Sequence, residues 1–216
     1  KVGGIQANNI LRADFLYDNL QIQNNLIHGA NAAGVQRLMF LGSSCIYPRD
    51  CPQPIREDYL LTGPLEATNE WYAVAKIAGI KLAQAYRQQY GFNAIYLLPV
   101  NLYGPRDNFD LQTSHVIPAL IRKCVEAQAH DQREIVVWGD GSPTREFLYV
   151  EDAAEGILLA AEHYEKSNPV NLGSGYEISI KELAEMITRL TGFNGKLVWD
   201  TSKPNGQPRR GLNVER

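Results

Sequence analysis

Leu38-Met39-Phe40-Leu41-Gly42-Ser43-Ser44-Cys45-Ile46-Tyr47 is a short apolar run that breaks at a glycine into small hydroxyl residues. Residues 37–41 are continuously apolar after the arginine, the pattern of a strand buried on both faces of a sheet. Upstream, residues 13–33 read as a helix, with Phe15, Leu16, Leu20, Ile22, Leu26 and Ile27 near a 3.6-residue spacing and Gly34 as a stop. Downstream, residues 70–90 are helical up to Gly91, and residues 94–98 give a second buried strand. The alternation continues with a helix at 118–127, a strand at 134–138, a helix at 150–164 and a strand at 170–172. A helix at 179–190 and a strand at 196–199 close the series. Ser179 and Glu182 form a capping box at the start of that helix, and Glu151 and Asp152 suit the positive end of theirs. Strands alternating with helices predict a parallel sheet with helices on both faces.

Between the first strand and the second helix, residues 48–64 form a proline-rich loop that is too long for a simple connection, and such loops are often functional. No linker divides the 216 residues, so any second region is expected to be woven from separate segments. A net charge of −3 gives no broad cationic field, which argues against nucleic acid and against an anionic membrane surface. No apolar run approaches the roughly 18 residues of a membrane span. The three cysteines, Cys45, Cys51 and Cys124, form no Cys-x-x-Cys pair, and a reduced cytoplasmic setting is expected. The sequence begins at Lys1 and stops after Arg216 without a terminating signal, so both ends read as cut.

The chemistry centres on Trp71-Tyr72-Ala73-Val74-Ala75-Lys76. A spacing of four puts Tyr72 and Lys76 on one helical face. A phenol titrates near pH 10, and a nearby ammonium favours its anion, so Lys76 is expected to lower the Tyr72 pKa. Such a tyrosine can give its proton to a carbonyl oxygen as hydride reaches the carbon. Alone the spacing is weak, since a tyrosine packed over a lysine stem looks the same. Ser43 adds to it, because ligands of open parallel sheets sit beyond the carboxyl ends of the strands.

Taken together, these residues resemble the extended short-chain dehydrogenase/reductase family. Within it, the chain is similar to the branch that epimerises and then reduces GDP-4-keto-6-deoxy-D-mannose. The likeness is carried by Gly42-Ser43-Ser44-Cys45-Ile46-Tyr47-Pro48, the stretch from Glu57 to Glu66, and Asn101-Leu102-Tyr103-Gly104-Pro105. Ser114-His115-Val116-Ile117-Pro118-Ala119-Leu120, Arg145-Glu146-Phe147-Leu148-Tyr149-Val150 and the stretch from Lys203 to Arg209 complete it. The resemblance implies an α/β fold: a partial Rossmann-like doubly wound parallel sheet with a smaller interwoven substrate-binding α/β region. Residues 1–100 and 138–174 would be the C-terminal part of an NADP-binding domain, and 101–137 and 175–216 the GDP-sugar-binding region.

The same likeness implies NADP(H) as cofactor, a GDP-sugar as substrate and a homodimer of the full-length protein. Ser43, Tyr72 and Lys76 match the family's reductase triad, and Cys45 and His115 match its epimerisation pair. Leu41, Gly42, Ser43, Ser44, Lys76, Pro99, Val100, Asn101, Leu102 and His115 would line the cofactor. Lys123, Trp138, Arg145 and Asn205 would contact the GDP-sugar. Arginine is frequent in the family where Lys123 stands, and lysine lacks its two-pronged fork. No metal is implied.

The family's Gly-rich phosphate turn is not found in this sequence. Gly139-Asp140-Gly141-Ser142-Pro143-Thr144 imitates its start but lacks the third glycine, and reads as a turn; Gly173-Ser174-Gly175 is too short. In the family that segment lies upstream, and residues 1–5 resemble the end of its fourth strand. A chain so cut is expected to bind NADPH poorly and to turn over little. Three other functions remain open on the same scaffold. A nucleotide-sugar 4,6-dehydratase usually carries Thr-Asp-Glu where Ser43-Ser44-Cys45 stands, and a 4-epimerase has no need of Cys45 with His115. A non-catalytic binding or regulatory protein would have no use for Tyr72 beside Lys76.

Overall fold

In the computed structural model, which describes residues 3 and 5–216, the buried run at the centre of the sequence forms the middle of a parallel sheet. The chain opens with helices α1 (Ile5–Ile10) and α2 (Arg12–Ala32), then strand β1 (Leu38–Leu41). The strand end expected at residues 1–5 falls largely outside the described residues, and Ile5 begins a helix instead. A single 3-10 turn (Ser44–Ile46) follows β1, and a second (Glu57–Tyr59) lies within the proline-rich loop. Helix α3 (Glu70–Tyr90) leads to β2 (Ala94–Pro99), β2 is buried at every position, and a left-handed Gly91 (φ 69°) ends the helix between them.

Strand β2 pairs in parallel with β1, from Leu38 opposite Ala94 to Leu41 opposite Leu97. The chain then runs through β3 (Asn101–Tyr103), α4 (Val116–Ala129), β4 (Glu134–Trp138), β5 (Thr144–Tyr149) and α5 (Val150–His163). Strand β6 (Val170–Leu172) joins the other side of β2, giving the order β1-β2-β6. Against this sheet lie α2 and α3, packed so closely that a Cβ on Gly79 would come within 2.5 Å of Phe40 and 2.7 Å of the Gln23 side chain. Gln23 is buried and donates to the Ala75 carbonyl at 2.6 Å, which satisfies it inside the helix pair.

The remaining elements are β7 (Glu177–Ser179), α6 (Ile180–Thr191), β8 (Lys196–Asp200) and β9 (Arg209–Arg210). Strand β5 pairs with β3 and β9 in parallel and with β7 antiparallel. A parallel pair, β4 and β8, packs with α4 and α6 around a second core of Leu120, Cys124, Ile135, Val137, Leu183 and Ile187. Strand β4 alternates between buried and exposed residues, so Ile135 and Val137 face this core and Trp138 faces outward. Ser179 and Glu182 make the expected capping box on α6.

Four short strands, β3, β5, β7 and β9, were not expected. The reason is clearest in β5, where the fully enclosed inward position is the carboxylate of Glu146 rather than an apolar side chain. Its oxygens accept from the Gly175 and Leu212 amides, both at 2.7 Å. A Cβ on Gly173 would lie 2.2 Å from the same carboxylate. Gly173-Ser174-Gly175 is therefore shaped around an acid of its own chain. Strand β5 also joins segments that the sequence reading assigned to different regions, since its partners β3, β7 and β9 all lie in 101–137 or 175–216. Gly139 to Pro143 form the turn between β4 and β5, with Gly139 and Gly141 at φ 83° and 80°.

All three cysteines are free thiols. Among the described residues, no helix is long and apolar enough to cross a membrane, and no group of three His, Cys, Asp or Glu side chains is placed to hold a metal.

Candidate active site

Beyond the end of β1 the backbone drops into the 3-10 turn, and the residues after Cys45 fix it there. Ile46 and Tyr47 are fully buried, and the Tyr47 hydroxyl donates to Asn171 at 2.6 Å. Ser43 caps the turn, its Oγ accepting from the Cys45 amide at 3.4 Å and donating to Cys45 Sγ at 3.1 Å. Gly42 packs at the strand end, where a Cβ would come within 2.5 Å of Leu98. Helix α3 brings Tyr72 and Lys76 to the same place. The Lys76 ammonium donates to the Leu41 carbonyl at 2.9 Å and lies 5.1 Å from the Phe40 ring and 5.8 Å from the Tyr72 ring. Tyr72 is buried beside Cys45, Ala7 and Phe15.

Burial governs the charges here. It pushes the Cys45 thiol up, while the Arg210 charge, the Ser43 hydrogen bond and Lys76 pull it back. It pushes the Tyr72 phenol up as well, with Cys45 adding to the rise and Ser43 opposing it. It pulls Lys76 down, against the influence of Cys45. The expectation that Lys76 lowers the Tyr72 pKa is thus corrected. The ammonium is engaged with the Leu41 carbonyl and is itself disfavoured by desolvation, so the loss of water around the phenol wins.

Further along the sheet ends, Pro99 closes β2 and Val100 donates its amide to Leu172 at 3.0 Å. Asn101 Nδ2 reaches the Glu146 carbonyl at 3.1 Å. Ser44 is buried, Leu102 is half-buried, and Leu41 keeps 38% of its surface exposed.

The residues expected around the GDP-sugar form two groups. Lys123 donates to the Val136 carbonyl at 2.8 Å and sits 5.9 Å from the Trp138 ring, with Lys203 on that ring at 5.4 Å. Burial pulls the Lys123 pKa down. Arg145 bonds the Asn205 carbonyl at 3.3 Å, and Asn205 Oδ1 accepts from the Asp140 amide at 3.0 Å. Burial, then the charge of Arg210, lowers Arg145 to about 10, against the pull of Glu66. His115 is exposed at the N-cap of α4, makes no side-chain cap bond, and has no hydrogen bond or ion pair to the Cys45 group among the described residues.

Several charged groups escaped the sequence reading. The Arg210 charge acts on Cys45 and Arg145, and Glu66 is buried with Arg49 at 3.5 Å. Gln207 is buried beneath them, and Lys203 joins Trp138. The one sequence signal was the Gln207-Pro208-Arg209-Arg210 run, in which nothing marks the second arginine as the enclosed one.

Comparison with known proteins agrees with this geometry. The model of the family described as "NAD dependent epimerase/dehydratase family" matches residues 1–173. GDP-L-fucose synthase of Sinorhizobium fredii is 58% identical over 216 residues, covering 100% of this chain and 69% of that protein. Probable GDP-L-fucose synthase 1 of Oryza sativa subsp. japonica is 60% identical over 211 residues, covering 97% of this chain and 64% of its own. The crystal structure of a GDP-L-fucose synthetase from Naegleria fowleri bound to NADP superimposes with a TM-score of 0.88 at 33% identity, over 94% of this chain and 65% of that one. On the strength of the matched model, these identities and the parallel sheet with its Ser43, Tyr72 and Lys76 corner, the chain belongs to the NAD dependent epimerase/dehydratase family.

Proposed function

We propose that this chain carries the chemistry of an NADPH-dependent enzyme that epimerises GDP-4-keto-6-deoxy-D-mannose at C3 and C5 and reduces C4 to give GDP-L-fucose. The observation that carries the reading is the convergence of a thiol, a hydroxyl, a phenol and an ammonium at the carboxyl end of one parallel strand. The names of the two relatives support GDP-L-fucose as the product, and the NADP in the Naegleria structure supports the cofactor.

The residues present fit the reacting end of that cofactor. An ammonium has three donors, the Leu41 carbonyl takes one from Lys76, and the others suit a ribose. Ser114 Oγ is buried without a partner beside His115, a polar group in need of a hydrogen bond. Leu41, Gly42, Ser44, Pro99, Val100, Asn101 and Leu102 complete the proposed lining. NADPH, when bound, supplies the hydride.

Protons beside a ketone are acidic because the enolate spreads charge onto oxygen. In the proposed reaction Cys45 and His115 exchange those protons on opposite faces of the sugar. Ser43 orients the C4 oxygen with a hydrogen bond that strengthens as charge grows there. Tyr72 then delivers its proton to that oxygen. A phenol held protonated by burial suits the task, since it surrenders its proton only to a strong base such as the forming alkoxide. Arg145 suits the diphosphate by its fork, with Lys123, Trp138 and Asn205 around the rest of the GDP-sugar.

We assign residues 1–100 and 138–174 to the nucleotide-binding region and the rest to the substrate region, a division that β5 bridges. Two copies are proposed to pair through α2 and α3, which leave Tyr17, Ile22, Leu26 and Val74 exposed. A cytoplasmic setting accords with three free thiols. The test is turnover of GDP-4-keto-6-deoxy-D-mannose with NADPH by the full-length protein in deuterated water. Deuterium at both C3 and C5 of a reduced product is expected; a product reduced at C4 without it would reject the two-stage reaction.

A further inference from the structure

Asn69 stands directly before α3, where a helix leaves its first amides unpaired. Asparagine is among the best residues at such a place, because its side-chain oxygen can accept from an amide of the first turn. Here it does not. Asn69 has φ −134° and ψ 14°, away from the extended backbone usual for a cap, and its side chain makes no capping bond. Its main chain is satisfied all the same: the amide donates to the Glu66 carbonyl at 3.1 Å, and the carbonyl accepts from the Ala73 amide at 3.0 Å. The side-chain oxygen is the exception. Oδ1 is buried and has no hydrogen-bond partner among the described residues.

A buried acceptor left unpaired is unfavourable, and native proteins keep few of them. One that forgoes the amides of its own helix is available to a donor from outside. Its place says which donor. Asn69, Tyr72 and Lys76 occupy positions i, i+3 and i+7, a single stripe of α3. Lys76 reaches the end of β1, and Tyr72 lies beside Cys45. The stripe therefore runs from the proposed ribose contact, through the proton donor, to an acceptor one turn further on. A ligand group that meets an oxygen there must carry a hydrogen to donate. In a 4-keto-6-deoxy sugar whose C4 oxygen meets Tyr72, the neighbouring ring carbons are C3, which bears a hydroxyl, and C5, which bears a methyl. Only the first can donate.

We propose that Asn69 Oδ1 accepts a hydrogen bond from the C3 hydroxyl of the keto sugar, which makes Asn69 a specificity-determining residue for the reduction. The assignment rests on the proposed reaction. It concerns the ketone already inverted at C3 and C5, the form to which Tyr72 gives its proton. Asn69 transfers nothing. The bond fixes C3 beside the carbon under reduction, so a sugar whose C3 hydroxyl is missing, or lies on the other face, is held less well against Tyr72.

The test pairs variants of the full-length protein with two ketones, GDP-4-keto-6-deoxy-D-mannose and its analogue lacking the C3 hydroxyl, and reads kcat/KM for reduction at C4. The unaltered protein is expected to favour the hydroxylated sugar about tenfold, because the analogue leaves the acceptor unpaired. Asn69→Ala should lower kcat/KM for the hydroxylated sugar about tenfold and leave the analogue nearly unmoved, so that the preference disappears. Asn69→Ser should do the same, since serine keeps a good helix cap but its oxygen is one atom short. A role confined to the helix start would instead be rescued by serine, and in Asn69→Ala would lower both sugars together. Either result would overturn the assignment, as would an unaltered protein without the preference or a preference that survives in folded Asn69→Ala. Should Asn69→Ala fail to fold, Asn69→Ser decides the matter by the same comparison. A full-length protein that reduces neither ketone would reject the proposed reaction itself, and the assignment with it.

Discussion

The corner around Cys45 and the shelf around Trp138 both carry lysines against aromatic rings, yet they keep different amounts of water. In the corner, loss of water drives every titratable group toward neutrality: the thiol and phenol rise and the Lys76 ammonium falls. On the shelf burial lowers the Lys123 pKa as well, but Trp138 keeps 43% of its surface in solvent and the exposed Lys203 approaches it from outside. A group near neutrality can give or take a proton, whereas a solvated cation is suited to holding an anion in place. The contrast separates chemistry from anchorage without appeal to residue type, since lysine serves in both.

Three experiments put weight on that separation. The largest effect is expected from Tyr72→Phe, which removes one oxygen and should lower the C4 reduction rate about a thousandfold while leaving KM for the GDP-sugar nearly unmoved. Steady-state rates would show it, and a comparable rise in KM would erase the distinction. Trp138→Ala should do the reverse, raising KM about tenfold with kcat little changed, if the indole stacks on the ligand. The smallest effect is expected from pH. A phenol raised by burial stays protonated to higher pH than a free one, so the reduction step should hold its rate from pH 7 to about pH 9. Single-turnover rates across that range check the sign; a decline already under way near pH 8 would mean that an ammonium, not desolvation, sets the phenol.

Much of this architecture was readable from the sequence where burial and periodicity agree. Glu70–Tyr90, Glu134–Trp138 and Val170–Leu172 have the bounds expected of them. The sequence put Ser43 beyond a strand end and Tyr72 with Lys76 on one helical face; the contacts of Ser43 with Cys45 and of Lys76 with the Leu41 carbonyl were not among its expectations. Strand β5 was missed because its enclosed position holds Glu146, and a carboxylate there breaks the apolar alternation that marks a strand. Arg210 was missed because its burial comes from a two-residue strand pairing with a segment more than sixty positions away. The direction of the Tyr72 shift was misread for a related reason: spacing reveals which charge is near, but how much water is lost depends on Ala7, Phe15 and Cys45 arriving from elsewhere.

The Glu146 carboxylate, clasped by the amides of Gly175 and Leu212, has a bearing on how the molecule is made. Half of that clasp arrives only once synthesis has passed position 212, on the same stretch that delivers Gln207 and Arg210. A nascent polypeptide halted before that point would hold the acid with the Gly175 amide but without its second amide partner. The second partner of this enclosed acid is therefore among the later residues to be synthesised, after the sheet strands that surround it.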